Sequence, residues 1–266
     1  MKRRLLRCLT VVAFISGGVG HTAALTAREI IDTAQEKNGL STWRDRTLDT
    51  TMESYTTTLQ RTRDANVSEQ TDPRGEHRTY MEFTGPTDVI GTRFLHLSPR
   101  GDADQQWLWS PQTRRARRLP DSARDENFMG TDLSYRDLEL IVRIQQWNDR
   151  ESAATLLPDE TAESRKCHVV ELVPKNDEFP YSKYRLWFGA EDLLLWRVEV
   201  YDPEGRLFKR VALRNYARIE NYATAHEAEI ANVQAGTHTL FKVRNVAYDT
   251  NVSEDLFTLA NVQRGN

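Results

Sequence analysis

Apolar and polar residues trade places at every second position through most of this chain, the period of a strand whose two faces meet different surroundings. In the run Glu76 to Phe83, Met81 and Phe83 fall on one face and Tyr80 on the other. Tyr184, Leu186 and Phe188 alternate with Lys183, Arg185 and Trp187. The threonine-rich run from Thr47 to Leu59 has no helical stripe, and branched β-carbons suit a pleated surface. Further strands are predicted at Val89–Leu97, Gln105–Ser110 (with Trp107 and Trp109 on one face), Lys166–Pro174, Asp192–Tyr201 and Leu207–Tyr216. Ala228–Val233 and Thr237–Val246 complete the set, and Asp255–Val262 reads as a short helical or irregular end.

Turns are predicted at Asp64-Ala65-Asn66, Asp72-Pro73-Arg74-Gly75 and Ser98–Asp102. Asp202-Pro203-Glu204-Gly205 has proline and glycine where a type I turn takes them. Two segments break the period. Thr26–Asn38 reads as a helix, with Thr26 as cap, Glu29 three residues on, and Ile30, Ile31 and Ala34 on one face. Between Leu133 and Arg150, residues Leu138, Ile141, Val142 and Gln145 follow helical spacing, and Trp147 and Asn148 end it. The tally is about ten or eleven strands, two or three helices and no fixed-period repeat. That predicts a mainly β (α+β) fold: a strongly curved antiparallel sheet, an incomplete barrel or a sandwich, with a few helices over its concave face.

Composition narrows the class. The chain has 266 residues, 39% hydrophobic and 28% charged, as a globular protein does. Residues 1–24 have the plan of a secretory signal peptide: basic from Met1 to Arg7, apolar from Leu9 to Gly20, small at Thr22-Ala23-Ala24. Residues 25–266 are then expected as one exported, periplasmic domain. The formal charge is −3, and loss of Lys2, Arg3, Arg4 and Arg7 with the leader makes it −7. That argues against nucleic acid, which needs a basic face. Cys8 leaves with the leader, so Cys167 stands alone and reads as a buried strand residue.

Candidate chemistry is sparse. His77, His96, His168, His226 and His238 show no metal-ligand spacing. No Gly-x-Ser-x-Gly elbow or glycine-rich phosphate loop occurs. Asp121, Asp125, Glu126 and Asp132 form a carboxylate-rich stretch without a marked partner. The expectation is a protein with no enzymatic activity, no cofactor and no metal. The aromatic and aliphatic residues then read as lining. Alternation nominates Phe83, Leu95, Leu97, Trp107, Trp109, Phe128, Met129, Leu186, Phe188, Trp196 and Val198 for an apolar cavity. Arg114, Arg115, Arg117 and Arg118 are either a solvated face or a cationic rim for acidic headgroups or an acidic partner.

Four segments carry a resemblance: Phe83-Thr84-Gly85-Pro86-Thr87-Asp88-Val89-Ile90-Gly91-Thr92; Gln106-Trp107-Leu108-Trp109-Ser110-Pro111; Arg114-Arg115-Ala116-Arg117-Arg118; and Phe128-Met129-Gly130-Thr131-Asp132-Leu133-Ser134-Tyr135. In this order they resemble the LolA-like outer-membrane lipoprotein-sorting proteins, in the branch found beside proton-driven permeases. The resemblance implies a curved sheet whose helices cover its mouth, with lipid or lipoprotein acyl chains held between. It also implies an inner-membrane permease of the RND or MMPL type as partner. Two other classes stay open: an envelope adaptor that binds only protein, with its inner face packed solid, and a lipid or glycan hydrolase built on a converging carboxylate or Ser–His pair.

Overall fold

The computed structural model describes residues 25–38, 42–99, 102–175 and 180–264; the expected leader, residues 1–24, lies outside them. The elements in chain order are α1 (Ala27–Asn38), β1 (Asp45–Tyr55), β2 (Leu59–Thr71), β3 (His77–Gly85), β4 (Arg93–Ser98), β5 (Gln105–Ser110), β6 (Arg115–Arg118), α2 (Tyr135–Gln145), β7 (Ser152–Ala162), β8 (Arg165–Pro174), β9 (Lys183–Gly189), β10 (Leu195–Tyr201), β11 (Leu207–Ile219), β12 (Tyr222–Asn232), β13 (Thr237–Tyr248) and α3 (Leu259–Gln263).

The thirteen strands form one antiparallel sheet in the order β6-β5-β4-β3-β2-β1-β13-β12-β11-β10-β9-β8-β7. Two meanders, β1–β6 and β7–β13, are sewn together where β1 pairs β13, with Met52 opposite Phe241. The edge strands β6 and β7 do not pair, so the sheet is curved but not closed, and the sandwich alternative falls away. The segment joining the meanders, 119–151, carries α2 across the concave side.

The helix ends form as their sequences dictate. Thr26 and Glu29 cap α1 reciprocally, the Glu29 N–H donating to Thr26 Oγ1 (3.2 Å) and the Thr26 N–H to Glu29 Oε2 (2.8 Å). Ser134 and Asp137 do the same for α2 (3.1 and 2.7 Å). In the predicted β10–β11 turn, Gly205 N–H donates to Asp202 O at 2.9 Å.

Two expectations are corrected, and one strand is added. Asp64-Ala65-Asn66 is not a turn; it lies inside β2. There Ala65 is buried, and the register with β3 slips between Asp64 and Ala65, so an irregularity takes the place of a reversal. Val89–Leu97 is not all strand. Val89 and Ile90 N–H groups both donate to Pro86 O (3.0 Å), which makes a turn, and β4 begins at Arg93. The strand β7 went unread because Pro158 interrupts its pattern. Proline is tolerated on an edge, and the pairing with β8 shifts just there, between Leu157 and Glu160.

The two faces of the sheet differ. The inner face is apolar: Met52, Phe83, Phe94, Leu172, Leu186, Phe188 and Val198 are all buried on it. The outer face of the central strands is a ladder of charges, with Arg214 reaching Glu163 (3.1 Å) and Glu229 (3.0 Å), Arg210 reaching Glu199 (2.9 Å) and Lys242 reaching Glu53 (2.8 Å).

Candidate functional site

Two bodies fill the concavity. Helix α1 lays Ile30, Ile31 and Ala34 against Val170, Leu172, Leu186, Phe188, Leu195 and Val198, and Leu140 of α2 joins them. On the other side the segment before α2 drives Phe128 into Phe83, Phe94 and Tyr135. Its ring lies 5.1 Å from Phe94 and 5.3 Å from Tyr135, both edge-on, and 6.1 Å from Phe83. Edge-to-face pairs of this spacing add to what burial contributes.

The backbone around Phe128 is fixed by polar ties. Met129 and Gly130 both have positive φ (50° and 78°). At Gly130 that φ strains any side chain whatever the space, which is what favours glycine there; the nearest group, the Arg61 guanidinium, is the flexible end of an exposed side chain. Two residues on, the buried Asp132 carboxylate accepts from the hydroxyls of Thr237 and Thr239 on β13, the latter at 2.7 Å. Ser54 on β1 donates to Gly130 O at 3.3 Å.

Helix α2 is pinned to both halves of the sheet. Asp137 takes the Lys209 ammonium of β11 and the Tyr181 hydroxyl (2.6 Å), and both Asp137 and Lys209 are 4% exposed. Burial and the Asp137 charge push the Tyr181 phenol well above its ordinary value. Two residues along, Glu139 faces the other wall and meets Gln106 of β5 (3.3 Å) and Arg124 (3.1 Å). Burial, then the Asp104 charge, raises the Glu139 carboxyl. Beside it His96 Nε2 lies 2.9 Å from Asp104. Burial pushes Asp104 up, but the hydrogen bonds from His96 and Ser98 win and hold it below its usual range. The Ser98 hydroxyl donates to Asp104 (3.0 Å), not to the imidazole, so these residues do not make the Ser–His pair that a hydrolase would use. Of the other carboxylates of this segment, Asp121 meets Arg124 (3.2 Å) and Asp125 meets Arg136 (2.6 Å).

Of the nominated lining residues, Phe83, Phe128, Met129, Leu186, Phe188 and Val198 share the inner face. The others face outward. Leu95, Leu97, Trp107 and Trp109 lie on the far side of β4 and β5, under Phe257 and Val262 of the C-terminal segment. Trp196 packs outside with Cys167, Val169 and Trp187, because a slip between Leu195 and Arg197 breaks the alternation that would put it on the face of Val198. One hollow cannot be lined by both sets. Cys167 is buried, and burial raises its thiol. Arg115, Arg117 and Arg118 stand exposed on the edge strand β6 and Arg114 on the turn before it. Among the described residues none of the four makes an ion pair.

Sequence reading missed Asp137, Lys209 and Tyr181. The Ser134-x-x-Asp137 box was there to read, and so was a lysine at the inward register of an apolar strand, in step with Val211.

Two hollows open on this arrangement. A narrow apolar one of about 30 Å³, under the C-terminal half of α2, is lined by Leu140, Ile144, Trp147, Leu172 and Tyr184. That is about the room one water molecule takes in the liquid. A wider cleft of about 340 Å³ lies at the other end of α2, lined among others by Asn127, Ser134, Tyr181, Asp202, Phe208 and Lys209. Among the described residues no helix is long and apolar enough to cross a membrane, and no group of three or more His, Cys, Asp or Glu is placed to hold a metal.

A family model described only as "Uncharacterized protein" matches residues 75–264. No curated protein matches the sequence. Among solved structures, a domain from Vibrio parahaemolyticus described as an outer membrane lipoprotein-sorting protein superposes with a TM-score of 0.79 at 25% identity. A DUF1329 family protein from Desulfovibrio piger gives 0.80 at 23%, and a LolA superfamily protein from Nitrosomonas europaea 0.69 at 16%. Each comparison covers 90% of this chain and 100% of the other.

Proposed function

Because this chain belongs to the family whose model spans residues 75–264, and has the LolA-like fold, we propose that it is a periplasmic carrier of lipid or lipoprotein acyl chains. The observation that carries the reading is the seam between α1 and the sheet. It is made of aliphatic side chains on both sides, Ile30, Ile31 and Ala34 against Leu172, Leu186 and Phe188. An acyl chain offers the sheet the same chemistry. The ties that hold α1 are few and lie along its polar side and at its end: Gln35 to the Gln145 carbonyl (3.0 Å), Asn38 to the Leu193 carbonyl (2.9 Å) and Arg28 to Asp149 (2.5 Å).

Loading then means exchange. The helix swings off and the chain takes its place, so the apolar face is never left to water. Each buried methylene is worth ~0.8 kcal/mol, and a long chain on the order of 10 kcal/mol, which is why such cargo crosses an aqueous space only when wrapped. No covalent step is needed. The arginines at 114, 115, 117 and 118 are assigned to contact with anionic headgroups or with an acidic surface of an RND- or MMPL-type permease. That partner is drawn from the likeness of the sequence motifs.

A second reading keeps the fold but not the cargo. Phe83 and Phe128 are 0% and 1% exposed, so this inner face is already filled by the chain's own side chains, as an adaptor that binds only protein would have it. Native mass spectrometry of protein purified from cells separates the two, together with displacement of a fluorescent fatty-acid probe. The carrier reading expects co-purified lipid and a displaceable probe. Protein that comes off bare and leaves the probe unbound is the adaptor.

A further inference from the structure

The cleft of about 340 Å³ at the N-terminal end of α2 is unlike the seam beneath α1. Its walls carry Asp125, Asp202, Glu204 and Arg206, and its floor carries Lys209. Each of these carboxylates has an arginine beside it. Asp125 accepts from Arg136 (2.6 Å). Asp202 accepts from the Arg206 N–H (2.8 Å) and Nε (2.9 Å) and from Gln234 (2.9 Å). Glu204 accepts from Arg206 (3.0 Å).

Donors are left over. Among the described residues Lys209 donates only to Asp137, and the side-chain N–H groups of Asn127 and Asn232 donate to no protein acceptor. An ammonium has three donors and a primary amide two. The cleft therefore has its carboxylates paired with Arg136 and Arg206, and keeps spare N–H groups on Lys209, Asn127 and Asn232, with a desolvated cation among them. A ligand that answers this is an anion rich in oxygen. The cleft also adjoins the apolar layer: Tyr181 and Phe208, which line it, pack with Tyr184 and Leu140 in the same cluster that receives α1.

We propose that this cleft is the headgroup site of the carrier and takes a phosphate-bearing headgroup on Lys209, with the acyl chains running into the layer under α1. The assignment rests on the carrier reading above. It also gives the buried ion pair a use. Asp137 holds Lys209 and at the same time caps α2 through Ser134. A phosphate that draws Lys209 away loosens the tie between α2 and β11, so headgroup engagement and opening of the inner face become one event.

Removing Lys209 alone would strand the buried Asp137 charge, so the test uses the pair Lys209→Met with Asp137→Asn, its fold checked by circular dichroism and thermal melting. Titration calorimetry compares dioctanoyl phosphatidylglycerol, dioctanoylglycerol and inorganic phosphate. The wild type is expected to bind the phospholipid about tenfold more tightly than the neutral glyceride, and the double variant to bind both alike. Amides of Tyr135–Gln145 are expected to exchange faster in the wild type with the phospholipid but not with the glyceride. Equal binding of the two lipids by the wild type, or a preference that survives in the double variant, overturns the headgroup site and leaves the carrier standing. Binding of inorganic phosphate without either lipid makes the cleft a free-anion site and overturns the lipid assignment. Binding of nothing removes the carrier reading and this site with it.

Discussion

The sheet is covered on both faces, and the two covers are built differently. Inside, α1, α2 and the Phe128 segment lie on aliphatic and aromatic side chains and are held by buried charges, Asp137 on Lys209 and Glu139 on Arg124. Outside, the C-terminal segment that ends in α3 closes Tyr80, Leu95 and Trp109 with Phe257 and Val262, while the remaining strands show water a ladder of exposed ion pairs. A buried pair is costly to break because the charge left behind has no water; an exposed pair is not. The inner cover is therefore a latch with a few strong points, and the outer one is ordinary closure.

Lys209→Met on its own tests this most severely. It strands Asp137, and urea denaturation should register a loss of about 3–5 kcal/mol. A loss under about 1 kcal/mol would mean that water reaches the pair and that α2 is not latched there.

Next comes the plug. Phe128→Ala empties the centre of a four-ring cluster and should cost about 3–5 kcal/mol. Phe257→Ala on the outer face should cost less, since Phe257 sits on a single helical turn, Glu254–Phe257, of a short C-terminal segment that can settle onto the gap. Equal losses in the same denaturation series would make the outer cap as integral as the inner one.

Acid probes the polar end of the inner face, where His77 falls in step with Met81 and Phe83. His77 is 2% exposed, beside the Arg46–Glu69 pair and Trp43. Burial lowers it from 6.5 to about 4, against the opposing pull of Glu69. The native imidazole stays neutral where the unfolded one takes a proton. Stability on this account is flat above 6.5 and falls as pH drops towards about 4, by at most about 1.4 kcal/mol per pH unit. His77→Gln should flatten that limb in melts across this window; an unchanged slope would place the acid sensitivity elsewhere.

Smallest of all, Lys242→Met removes an outer ladder contact to Glu53 whose lysine is 42% exposed, and no measurable change in the denaturation midpoint is expected. A clear loss would show that the ladder acts as a network.

How much was legible follows the range of the interaction. The caps at Thr26 and Ser134 and the Asp202–Gly205 turn involve residues three apart, and the sequence displays them directly. Period-two alternation likewise separates Tyr80 from Met81 and Phe83, and Trp187 from Leu186 and Phe188. Alternation says that two faces exist and not which is concave. Alternation nominates Trp107 and Trp109 for the inside, yet their face is the one that Phe257 and Val262 cover. Trp196 was lost to a single slip in pairing, which turns a side chain to the opposite face.

The amino-acid order alone settled that this chain makes a mainly β sheet of hairpins with a capped helix at either end of its first meander, because caps, turns and pleat period are set by near neighbours. The tertiary structure alone decided that β1 joins β13, that α1 and the Phe128 segment occupy the hollow, and that Lys209 lies beneath Asp137. Those contacts span 72 to 193 residues of chain in the bonds that fix them, and only the assembled, curved sheet brings their partners within reach.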